Sequence, residues 1–227
     1  MKTRFIPTIV AIAVGLSLAG QAQVITPNPN LPVTYPDGVY RTPDQVHAQF
    51  NVPGLSIILS NIEHRAFGPV NSFPSGPNEI ENFNSGMLGL VSVNGSPFQP
   101  VNGSGPVTTE VFGKTGNITG TFQTEMLSMN LSGVSPFGPL MIRESPTLPS
   151  LGQTSITDIG GGLYRIDSFF DVFTELSIDG GATWIPDSQG PARVYLTPTP
   201  EPSTFALVAL GSGILAAHRS RQTRKQV

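Results

Sequence analysis

Proline and glycine punctuate this chain so densely that no helix of useful length fits between residues 23 and 199. There are 22 Pro and 25 Gly in 227 residues, and they recur throughout that span. Proline fixes φ and removes a backbone donor, and glycine weakens a helix by about 1 kcal/mol per residue. What survives between them are runs of alternating character. The longest is Leu163 to Ile178, where Tyr164, Ile166, Ser168, Phe170, Val172, Thr174, Leu176 and Ile178 share one side, mainly apolar and β-favouring. Arg165, Asp167, Asp171, Glu175 and Ser177 share the other. A period of two belongs to a half-buried strand or to a bent pair of strands.

Leu55 to Leu59, Gly86 to Val93, Val107 to Phe112, Leu140 to Ile142, Thr183 to Ile185 and Arg193 to Leu196 read as further strands. So does Thr119 to Leu131, whose apolar side switches partway and therefore predicts a bulge or bend. Gln23 to Asp44 is Pro- and Asn-rich and reads as an extended arm with one edge strand at Val39-Tyr40. Asn61 to Asn84, with Pro69, Pro74 and Pro77, reads as loop, as does most of Ser132 to Pro149. Asn94-Gly95-Ser96 and Lys114 to Asn117 read as turns. Short strands between Gly, Pro and Asn turns, without repeats, predict an all-β fold: a single β-sandwich or jelly-roll-like domain over residues 23–196.

The two ends differ in character from this middle. Lys2 and Arg4 precede the apolar stretch Phe5 to Leu18, and small residues lead to Ala22. This is the layout of a secretory signal peptide over residues 1–22, handled by the export translocon and signal peptidase; a retained N-terminal anchor is the alternative. At the other end Phe205 to Ala217 carries no charge and is followed by His218, Arg219, Arg221, Arg224 and Lys225. An apolar run against a cationic cluster reads as a transmembrane helix over about 203–218 with a cytoplasmic basic tail. The run is short, ~20 Å against a ~30 Å hydrocarbon core, and a buried C-terminal helix is the alternative. The absence of Cys excludes disulfides and a lipoprotein anchor. Residues 23–199 hold six basic and fourteen acidic side chains, a net −8, which argues against nucleic acid as a partner.

Pro200, Glu201 and Pro202, then Ser203-Thr204, the apolar helix and the Arg-rich end, resemble the PEP-CTERM sorting segment of bacterial exported proteins. The resemblance covers about Pro198 to Lys225, within a sorting segment at residues 197–227 that begins with a Pro-rich linker. It implies an exosortase-type membrane enzyme that recognises Pro200, Glu201 and Pro202, inner-membrane anchoring before processing, and a destination at the cell surface or in an exopolysaccharide-bearing matrix. The same segment also travels as the "ice-binding protein C-terminal domain"; that label describes the tail and does not speak for ice binding.

Ser177, Asp179, Gly181, Thr183 and Trp184 fit the pattern Ser-x-Asp-x-Gly-x-Thr-Trp. They resemble the Asp-box hairpins of sialidase-like propellers, where the box is structural. It occurs once here, whereas a propeller needs several blades, so no sialidase is inferred. Asp179 is expected to accept backbone hydrogen bonds, Gly180 and Gly181 to take positive φ, and Trp184 to pack over the base. No catalytic residue, metal ligand or cofactor is assigned. Asp167, Asp171 and Glu175 stand ~13 Å apart on a strand, too far for a glycosidase pair at about 5–9.5 Å. His47 and His64 lie in no metal-binding spacing. Three classes of function follow. The chain is a non-catalytic surface or matrix protein, a carbohydrate- or calcium-binding sandwich module, or a hydrolase. The first takes most from the two ends.

The exported form is expected to begin at Gln23. N-terminal sequencing of protein recovered outside the cytoplasm checks this; a start at Met1 removes the signal peptide.

Overall fold

The computed structural model describes residues 23–42 and 46–199. The expected signal peptide, the motif Pro200, Glu201 and Pro202, and the helix at 203–218 lie outside the described residues. Among the described residues there are thirteen strands and no helix. The frame is a wall of four long antiparallel strands: β4 (Leu55–Ser75), β5 (Asn78–Val93), β6 (Gln99–Val111) and β7 (Gly120–Ser135). The shorter strands are β1 (Val24–Thr26), β2 (Gly38–Arg41), β3 (Val46–Val52), β8 (Gly138–Glu144), β9 (Ser150–Gly160), β10 (Leu163–Val172), β11 (Thr174–Ser177), β12 (Ile185–Pro186) and β13 (Ala192–Pro198).

Both flanks of the wall change partner halfway along. On β4, residues up to Ser60 pair with β3, and Glu63 and His64 pair with β2. Between them Asn61 takes a left-handed φ of 51°, the ladder slips, and Ile62 turns inward to near-complete burial. On β7, Gly120 to Met126 pair with β9 and Asn130 to Ser135 with β8. The slip here falls at Leu127, opposite the step from Thr108 to Thr109. This is the bulge expected from the switching apolar side of Thr119 to Leu131. The third change is at Phe173, where β10 ends and β11 begins.

The result is a closed antiparallel barrel of eight strands, β2-β4-β5-β6-β7-β9-β10-β13. The remaining strands extend the wall in the other direction. β3, β8, β11 and β12 curl round beyond the bulges and meet through a bridge between Phe50 and Asp187. They make a second, shorter ring stacked on the first. β1 adds to the free flank of β10 at Val24 to Thr26. Ile166, Phe170, Val172 and Val194 fill the first ring; Phe50, Leu59, Leu131 and Leu176 fill the second.

The all-β expectation holds. Two facing sheets of a sandwich or jelly roll do not appear in the pairing: one ring closes where two sheets were expected. Strand alternation is the same in both architectures, and the deciding pairs, β9 with β7 and β13 with β2, join distant stretches. Asn61 to Asn84 is strand, not loop. Pro69 sits in a slip of the ladder between Phe67 and Asn71, and no described strand pairs with the other flank of β4 beyond His64. Proline is tolerated at a bulge and on an unpaired flank, where no donor is needed. Most of Ser132 to Pro149 is likewise strand, the end of β7 and all of β8. The run Leu163 to Ile178 is the bent pair β10 and β11, with Ile166 to Leu176 alternating as read.

The seam β7-β9-β10 includes a close approach of backbones at Gly152. A Cβ on Gly152 of β9 would lie 2.2 Å from the carbonyl oxygen of Phe169 on β10 and 2.7 Å from Thr124 Oγ1 on β7. Gly152→Ala is therefore expected to destabilise by about 1–3 kcal/mol, the range for overpacking. Gly54→Ala, in a turn with open space around it, serves as a comparison for backbone strain alone. Denaturant midpoints of each variant against the parent check this; a Gly152→Ala midpoint equal to the parent's would mean the seam yields.

Candidate functional site: the distal hairpin and the barrel lumen

The hairpin joining β11 to β12 is built around one carboxylate. Asp179 Oδ1 accepts from Thr183 N at 2.9 Å and from Ser177 Oγ at 2.7 Å, and Asp179 Oδ2 accepts from Thr183 Oγ1 at 2.6 Å. These donors hold its carboxyl down to about 2, with Thr183 the largest contributor. Gly180 and Gly181 take φ of 75° and 91°, which lets Gly181 N reach back to Ser177 Oγ at 2.9 Å. Trp184 Nε1 donates to Gly181 O at 3.1 Å. The Arg143 guanidinium lies 4.1 Å from the Trp184 ring and donates to Glu175 Oε2 at 2.6 and 2.9 Å. Every polar atom of the carboxylate is thus engaged within the turn, and the arrangement reads as a fastener.

The row Asp167, Asp171 and Glu175 is divided among separate partners. Asp167 accepts from Gln23 at 3.0 Å, Asp171 is chelated by Arg193 at 2.5 and 2.6 Å, and Glu175 belongs to Arg143. Among the described residues, no three His, Cys, Asp or Glu side chains gather to hold a metal ion.

The lumen of the eight-strand barrel is different in kind. It holds a partly open cavity of about 60 Å³ to which every barrel strand contributes a side chain. Tyr40, His64, Glu81, Thr109, Thr124, Thr154, Phe170 and Val194 represent the eight strands in turn. Leu31 and Pro32, from the arm between β1 and β2, lie against it, as does His47 of β3. The arm is pinned by Tyr35 N to Ala66 O at 2.8 Å and by Arg65 stacked 4.8 Å from the Tyr35 ring. Thr154 Oγ1 and Ser168 Oγ share a hydrogen bond of 2.8 Å, and Tyr40 donates to Ser168 at 3.2 Å.

Glu81 is the odd member. It is 1% exposed, and its Oε1 has no hydrogen-bond partner in the protein. Thr124 Oγ1 and Thr174 Oγ1, also on the cavity wall, share that condition. Burial, reinforced by the Glu79 carboxylate and opposed by the Lys114 ammonium, pushes the Glu81 carboxyl up to about 8. The His47 and His64 rings sit 5.7 Å apart. Burial drives them down to about 3 and about 4, and His64 adds a smaller repulsion on His47. Burial also raises Tyr40 to about 12. At neutral pH the lumen therefore presents uncharged histidines, an uncharged phenol and a carboxyl that holds its proton. None of this was read from the sequence. Glu81 lies in a Pro-rich stretch whose pattern reads as loop, and the two histidines are 17 positions apart until β3 meets β4.

These buried groups set the direction of the pH dependence. Glu81 binds its proton more tightly folded than unfolded. Its burial is tolerated below pH 4.5, and stability falls as pH rises from there to about 8. His47 and His64 act in the opposite sense: they stay neutral when folded, so stability falls as pH drops below 6.5 towards about 4 and about 3. Thermal stability is expected to be greatest between those limits. Glu81→Gln is expected to match the parent at pH 4.5, to gain on it steadily as pH rises towards about 8, and to hold a gain on the order of a few kcal/mol above that. Melting curves across pH check this; a constant gap at all pH values would mean Glu81 ionises freely.

No family model matches this chain, and neither a curated protein nor a solved structure does.

Proposed function

We propose that this chain is an exported, non-catalytic surface or extracellular-matrix protein, sorted through its PEP-CTERM-like segment by an exosortase-type enzyme and associated with exopolysaccharide. The observation that carries the reading is where the chain leaves the barrel. β13 runs outward from Ala192 and ends at Pro198 opposite Gly38, and Thr199 Oγ1 donates to Pro36 O at 2.5 Å. That is the end of the molecule holding the β4–β5, β6–β7 and β9–β10 turns. The Asp-box hairpin and the β3–β4, β5–β6 and β7–β8 turns crown the opposite end. A chain held at the membrane through residues beyond Thr199 presents that second end outward. The linker, apolar run and basic tail then serve as the address, and the closed, acidic barrel is the cargo. The edge that the ring leaves unpaired among the described strands, β4 beyond His64, carries Pro69 and Pro74, which blunt it against edge-to-edge aggregation and so support the reading as well.

Glu201→Ala tests the sorting step. The parent is expected to lose the segment after Pro202 and to reach the outer surface or medium. The variant is expected to stay in the inner membrane with a mass ending at Val227. Intact mass by cell fraction reads both; the same mass and location for parent and variant would reduce the segment to an ordinary anchor.

A further inference from the structure

We propose that the barrel lumen at Glu81 is a binding site for a compact neutral molecule, apolar over most of its surface and carrying a hydroxyl or amide group. The site goes beyond the sorting role and stands independently of it.

Three observations converge. The first is the set of unpartnered atoms. Buried polar groups are almost always hydrogen-bonded, and leaving one unpaired costs about 1–3 kcal/mol. Glu81 Oε1, Thr124 Oγ1 and Thr174 Oγ1 all lack a protein partner, and all three side chains line one cavity. A core selected for stability alone would carry Val or Met there, as neighbouring inward positions do at Val107, Val111 and Met129. The second is the remaining wall. Phe83, Met126, Phe170 and Val172 supply an apolar surface against which the rest of a ligand would rest. Such a mixture, mostly apolar with a few placed polar atoms, is the usual make-up of a small-molecule site.

The third is charge. The groups facing Glu81 are Glu79 on its own strand, Lys114 on the β6–β7 turn, and Tyr40 on β2; His64 and His47 complete the titratable lining. The two histidines and the tyrosine are neutral at pH 7. An ionic ligand would have to shed its hydration with no free counter-charge in the lumen, so a neutral one is favoured. A hydroxyl or amide can both donate to and accept from a protonated carboxyl and two threonine hydroxyls. The volume sets the scale. About 60 Å³ is several times the ~10–15 Å³ that a cavity needs to hold one water, which suits a group of about five heavy atoms.

The test uses the full chain labelled with ¹³C at methionine methyls, titrated with 2-methyl-1-propanol as probe. Met126 and Met129 line the lumen, whereas Met141 lies on β8 of the second ring. Saturable shifts of the Met126 and Met129 signals, with Met141 still, are expected. Glu81→Met should weaken the probe at least tenfold; Thr124→Val, which keeps the side-chain shape, should weaken it several-fold and serves where the first variant does not fold. The matched cation 2-methylpropylammonium should bind less tightly at pH 7. Three results would overturn the proposal: no saturable shift, which leaves a lumen that holds ordered water only; saturable shifts that neither variant weakens, which means no polar recognition; or tighter binding of the ammonium than of the alcohol.

Discussion

Three partner exchanges at one level hold this fold together. β4 passes from β3 to β2 at Asn61, β7 passes from β9 to β8 at Leu127, and β10 gives way to β11 at Phe173. The third is clamped. Ser150 Oγ accepts from Phe173 N at 3.0 Å and donates to Glu144 Oε1 at 3.2 Å, and Ser145 N donates to Phe173 O at 2.8 Å. Ser150 is fully buried, and burial raises the Glu144 carboxyl to about 7 despite its hydrogen bond from Ser150. Without these exchanges the four-strand wall could curl into only one ring. With them each long strand serves two, and the loops at residues 145–149 and 187–191 are gathered at the junction.

The outcome was partly legible from the residues. Where a strand has an apolar inner face, as from Ile166 to Leu176, its period and even its break could be read. Where the inner face carries lumen groups, the signal fades. The inward series on β5 runs Glu79, Glu81, Phe83, Ser85, Met87, and on β9 it runs Ser150, Gly152, Thr154, Ile156. Neither alternates apolar with polar, so the pattern signals only the Gly86–Val93 half of β5 and gives no strand signal for β9. The residues that make the lumen distinctive are the ones that hide the strands bearing it. The Asp-box geometry, in contrast, is local: Ser177, Asp179, Gly181, Thr183 and Trp184 span eight positions, and the sequence places their partners within reach.

The interior also shows how the chain divides its stability. The second ring is packed with Phe50, Leu59, Leu131 and Leu176, each almost wholly removed from water. The first ring accepts Glu81, Thr124 and Thr154 at comparable depth. Burying such groups costs stability, which the strand ladders and the apolar packing around them offset.

The course of β13 has a mechanical side. It is bonded to β10 from Ala192 to Tyr195 and to β2 from Tyr195 to Pro198, antiparallel on both flanks. Those bonds lie across the strand, so a pull on Thr199 along the axis loads both ladders in shear rather than peeling them open bond by bond. A tether attached there would transmit force into the barrel where it resists best, and drag on the far hairpins would stretch the molecule along its strands without unravelling it from the end.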